Sequence, residues 1–206
     1  MEIYENESDQ TEAVKRFFAE NGKALLVGVV IGIGALLGWR YWTNHKADSA
    51  MLTSQAYQKA MFDLSGDKPA ALAEAEKFAA DTQNVYGALA ALKLAQQYAD
   101  KNALAKAAAQ LQLGLKNTRD ANLQAVMSLR LSRIQIQQKQ ADEALKTLDT
   151  VKGEGWKAIV ADVRGEALLS KGDRKGARDA WSQGVASDAS AALREMMQMK
   201  INNLSS

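Results

Sequence analysis

The residues able to do chemistry are few. One histidine, His45, stands between Asn44 and Lys46, and the chain contains no cysteine. That excludes disulfides, thiolate metal sites and cysteine nucleophiles, and leaves no histidine pair to hold a metal. There is no nucleophile elbow and no glycine-rich phosphate loop after a strand. Gly32-x-Gly34 lies inside an apolar run, where it carries no message about nucleotides. The carboxylates are scattered over what read as helix surfaces. No catalytic residue, cofactor or metal site is expected, and an enzyme is not predicted. With 26 Lys and Arg against 24 Asp and Glu, the formal net charge is +2, and no Lys/Arg run points to nucleic acid.

What the residue spacing does offer is packing and binding chemistry. Gly28-x-x-x-Gly32 and Gly34-x-x-x-Gly38 are small-residue pairs that would let a second membrane helix approach closely. They lie on different faces of a helix, about 120° apart. The element that must carry them is Ala24–Trp39, an uncharged run in a chain that is 24% charged. Counted through Trp42, residues 24–42 rise about 28 Å as a helix, close to the ~30 Å core of a bilayer. Arg40 can snorkel to headgroups, while Trp39, Tyr41 and Trp42 suit the membrane-water interface. Of the three readings (cleaved signal, permanent anchor, buried core helix), the anchor fits best. A cleavable signal has a short basic leader, whereas residues 1–23 carry Glu2, Glu5, Glu7, Asp9, Glu12 and Glu20. Within that tail, Asp9 and Glu12 resemble a capping box ahead of Ala13, Val14, Phe17 and Phe18. This predicts an interfacial helix, with a partner-docking peptide as the alternative. Orientation is undetermined by charge: Lys15, Arg16 and Lys23 precede the span, and Arg40, Lys46 and Lys59 follow it.

Residues 43–206 read as one all-helical domain of successive helices. Polar breaks are expected at 65–69, 81–84, 100–102, 117–120, 152–155 and 171–173. Gly165, Leu168, Gly172, Ala177 and Trp181 fit a tetratricopeptide frame, in which small residues let two helices approach and an aromatic fills the crossing. The frame also fits Leu131, Ser132, Ala144 and Leu148, and further upstream Leu94, Ala95, Tyr98, Ala107, Leu111 and Gly114. The anchors Ala95, Ser132 and Gly165 are 37 and 33 residues apart, bracketing a 34-residue period. Helices within 47–80 fit poorly and read as an N-terminal cap. Leu193, Met197, Ile201 and Leu204 mark a C-terminal capping helix. By frame position the concave, partner-binding face would include Leu89, Leu92, Gln96, Arg133, Ile136, Asp162, Glu166 and Leu169, with Val126, Leu129 and Ile159. Several of these could instead pack between repeats. The mixture suits an extended or amphipathic polypeptide and lacks the Lys/Asn array of a carboxylate clamp.

The stretches MEIYENE, EAVKRFFAENGKAL, GWRYW, AEKFAA, YGALA, LKTLDT, KGEGW, RGEALLSKGD and EMMQMKINNLS run the length of the chain. Through them the sequence resembles the YfgM family, ancillary subunits of the bacterial SecYEG translocon. The resemblance implies a single-pass inner-membrane protein. It places residues 1–23 in the cytoplasm, residues 24–42 in the membrane as a signal-anchor, and residues 43–206 in the periplasm. It implies association with SecYEG, with PpiD and other periplasmic chaperones, and with translocating client polypeptides. The alternative it carries is a membrane tether that restrains a stress-response protein, the Rcs response regulator.

Overall fold

The chain is described over residues 5–64 and 69–204 in a computed structural model. Among these residues every regular element is helical. They are α1 (Glu5–Leu64), α2 (Pro69–Asp81), α3 (Val85–Asp100), α4 (Leu104–Asn117), α5 (Ala121–Gln137), α6 (Ala141–Asp149), α7 (Lys157–Ser170), α8 (Arg174–Ala186) and α9 (Ala191–Asn203), with a 3-10 turn at Glu154–Trp156. The all-α architecture with one N-terminal apolar helix is the one the sequence predicts.

Two compact units make up the chain, Met1–Thr53 and Ser54–Ser206. The first consists of α1 up to Thr53. The helix begins at Glu5, ahead of Asp9, so Asp9 and Glu12 lie within it and not at its start. An uninterrupted helix forms here because the run holds no proline, and its glycines are interspersed with Leu, Ile, Val and Ala, of which Leu and Ala are strong helix formers. The apolar side chains are open: Leu26, Val30, Ile31, Leu36 and Leu37 are all exposed.

The second unit is built from helix pairs. The closest packing joins α3 to α4, α5 to α6 and α7 to α8, and each second helix then meets the next first helix. Gly165 decides the α7–α8 crossing. A Cβ there would stand 2.5 Å from Trp181 Cε2 and 2.6 Å from Cδ1, so only glycine lets the indole lie flat against α7. Trp181 is 2% exposed, and its Nε1 donates to the Asp162 carbonyl at 3.0 Å. The equivalent seam of α5 and α6 uses Ser132, whose hydroxyl donates to the Ser128 and Ala144 carbonyls at 2.8 and 3.3 Å. In α3 and α4 the seam is Ala95 against Ala107 and Leu111, all buried. The three anchors of the frame therefore occupy matching places in three successive helix pairs.

The predicted breaks at 81–84, 100–102, 117–120, 152–155 and 171–173 coincide with helix ends and the turns that follow them; of the break at 65–69, Pro69 opens α2 and residues 65–68 lie outside the described residues. Caps explain several starts. Asn84, Asp120 and Asp173 side chains accept from the Tyr86, Leu123 and Gly176 amides. The turn at 138–140 was not predicted, because Gln138-Lys139-Gln140 contains none of the usual turn residues. Lys139 nevertheless takes φ 64°, closing α5 in a left-handed cap. Upstream, the end of α1 packs on α2 and α3: Leu64 joins Ala75, Ala79, Ala91 and Leu94 in one cluster, and its carbonyl accepts from Gln97 Nε2 at 3.2 Å.

Candidate functional site

The apolar stretch of the first unit is long and apolar enough to cross a membrane, and residues 24–42 are exposed throughout. Added Cβ atoms at Gly28, Gly32, Gly34 and Gly38 would meet nothing within 4 Å, so both glycine faces are unobstructed. At its end Trp39 and Trp42 rings lie 5.8 Å apart, Lys46 Nζ stands 3.6 Å over the Trp42 ring, and Tyr41 stacks on His45. Arg40 is exposed beside them. The sole histidine is thus a stacking partner in an aromatic collar.

In the second unit the row of first helices, α3, α5, α7 and then α9, carries the residues predicted to line a binding face. The structure brings three of them together: Arg133 on α5, Asp162 and Glu166 on α7. Lys200 of α9 completes the group. Its Nζ lies 2.6 Å from Asp162 Oδ1 and 2.7 Å from Glu166 Oε1. Arg133 approaches both acids at 3.9 Å. Asp162 is only 1% exposed, and its Oδ2 is buried without a hydrogen bond. A carboxylate so placed survives because two cations flank it; without them the desolvation cost would be severe. Burial pulls the Lys200 ammonium pKa down, but the hydrogen bonds and charges of Asp162 and Glu166 outweigh this, and the net shift is upward. Two acids and two bases form a neutral ladder tying three successive first helices together.

The remaining predicted face residues are separate from this ladder. Leu89, Leu92 and Gln96 lie on α3; Gln96 is exposed, while Leu92 packs partly on the core of the first pair. Ile136 and Ile159 pack on the Leu129, Leu148 and Val163 cluster, with Leu129 itself buried. Leu169 is 39% exposed. Met197 is core, lodged where Gly184 leaves room, and Met196 and Met199 are exposed. Lys200 went unpredicted. The signal for it was a basic residue flanking the Met197 stripe, which has meaning only once Asp162 is known to be buried. Among the described residues no group of three or more His, Asp or Glu side chains is arranged to hold a metal.

Helix pairs of about 34-residue period, with small residues at each crossing and a terminal capping helix, define a helical-repeat protein of the protein-binding kind. The sequence model of the family described as a tetratricopeptide repeat-like domain matches residues 15–206. The chain is 69% identical, over 100% of both chains, to a protein of Escherichia coli named ancillary SecYEG translocon subunit. Proteins of the same name are 34% identical in Haemophilus influenzae, over 96% of this chain and 97% of the relative, and 31% identical in Buchnera aphidicola subsp. Acyrthosiphon pisum, over 82% and 86%. The chain belongs to the YfgM family, to which these subunits belong, and its fold and kinship point to a role in binding and not in catalysis.

Proposed function

We propose that this protein is an ancillary subunit of the SecYEG translocon, anchored in the inner membrane by residues 24–42. Residues 1–23 face the cytoplasm. Residues 43–206 lie in the periplasm, where the helix pairs bind PpiD, other periplasmic chaperones and emerging client polypeptides. The observation that carries this is the union, in one chain, of an unburied span-length apolar stretch with stacked helix pairs that still expose Gln96 and Leu169 on their first helices. Full-length similarity, 69% identical, to a relative bearing the translocon name supports the choice of partner.

The glycine faces supply the membrane half of the reading: close approach at Gly28 and Gly32, or at Gly34 and Gly38, suits a neighbouring membrane helix. The first-helix face supplies the other half, through apolar side chains and isolated charges that accept an extended segment. Fusion of alkaline phosphatase after Ser206 tests the topology; an active fusion is expected, and an inactive one removes the periplasmic assignment. Photo-crosslinkers at Gly28, Gly32 and Gln96 should capture translocon or chaperone components. Capture of lipid alone at the first two and nothing at the third would overturn the adaptor role.

A further inference from the structure

We propose that a cavity between α3, α4 and α5 is a specificity pocket that takes one apolar side chain of an extended polypeptide with an acidic residue beside it. The pocket rests on the binding role proposed above and names the segment that role would select. It measures about 170 Å³ and is lined by Ala95, Gln96, Ala99, Leu111, Arg130 and Ile134. Ala95 and Ala99 stand one turn apart on α3, as do Arg130 and Ile134 on α5, so each pair presents one face to the space. Two alanines on α3 leave the room that larger side chains would fill. The walls are apolar, with Ala95, Leu111 and Ile134 buried. Spaces near 150 Å³ with aliphatic walls hold a benzene-sized group, so a leucine, isoleucine or phenylalanine side chain fits.

The mouth is polar and positive. Gln96 and Arg130 are both exposed there. Arg133, one turn further along α5, is engaged with Asp162 and Glu166. Arg130 has no ion-pair partner among the described residues, and Lys93 sits beside Gln96, its Nζ 3.4 Å from the amide oxygen. The Arg130 cation at the edge of an apolar hole selects an acidic neighbour, because a carboxylate at the rim gains charge-assisted hydrogen bonds from the guanidinium. The cation stands at the mouth of a space sized for one side chain. The carboxylate therefore comes from the residue next to the anchor, within an extended segment.

Fluorescence anisotropy on the full chain in nanodiscs tests this with labelled, acetylated and amidated Gly/Ser peptides carrying a single Leu-Glu, Leu-Lys or Ser-Glu pair. The Leu-Glu peptide should bind about fivefold or more tighter than either of the others, the scale of a partly exposed ion pair. Arg130→Glu should reverse the preference to Leu-Lys, and Ala99→Leu should fill the pocket and erase the advantage of Leu-Glu over Ser-Glu. An unchanged preference in both variants, each shown folded by circular dichroism, overturns the pocket while leaving the binding role intact. Equal binding of all three peptides by the unaltered protein does the same. Failure to bind these peptides and also unfolded polypeptides removes the binding role itself.

Discussion

At the scale of single residues the helix crossings are governed by side-chain volume. Gly165→Leu drives methyl groups into the Trp181 indole and disturbs its hydrogen bond to Asp162. Chemical denaturation of the full chain in detergent should show a loss of about 1–3 kcal/mol; an unchanged midpoint would remove Gly165 from the crossing. Tyr98 offers a pH test. Burial first, and then the hydrogen bond to Glu76 and that residue's charge, push its pKa from 10.0 up to about 12. An unfolded tyrosine releases its proton near pH 10 while the folded one keeps it, so the unfolded state binds fewer protons and stability falls as pH rises from 10 towards 12. Tyr98→Phe should flatten that decline in denaturation midpoints taken across the window. Gly165, Ala177 and Trp181 were legible in the sequence because glycine and an aromatic at repeat spacing are distinctive. Gly87 was not: a Cβ there would strike the Thr82 backbone carbonyl, a constraint set by the turn before α3 and visible only in three dimensions.

At the scale of elements the apolar helix and the repeat helices obey different rules. Helices α3 to α9 bury one face each, and their positions follow from the pattern of small and large apolar residues. The apolar stretch buries nothing in this chain, and under the proposed membrane anchoring its side chains face lipid and other membrane helices. Gly32→Leu should therefore reduce co-purification of membrane partners several-fold, while the thermal melting of the helix pairs stays unchanged. Retention of every partner at full yield would take this glycine face out of the interaction. The helix starts show the same division between local and long-range information. Asp120 and Asp173 advertise their caps in the sequence, but the end of α5 at Lys139 is imposed by the pairing with α6, since no local residue type demands it.

At the scale of the whole molecule, the charged ladder links repeats that are distant in sequence. Lys200 reaches back across 38 residues to Asp162. Lys200→Met should leave that buried carboxylate with Arg133 alone at 3.9 Å and cost about 2–4 kcal/mol, toward the lower end because Lys200 is partly exposed. Pairing it with Asp162→Asn should recover much of the loss, and a double-mutant cycle measures the coupling; additive losses would show that the two do not interact. By itself the sequence determined the helical class, the span-length apolar run, the repeat period and its small-residue anchors, because each is a periodic or compositional property of local chain. Only the tertiary structure decided that Asp162 and Glu166 are tied to Lys200, that Leu129 is core, and that Arg130 stands beside an apolar hole with no ion-pair partner among the described residues. Those outcomes depend on which helix faces meet across 30 or more residues, and charge pairing at such range leaves no periodic trace in the chain.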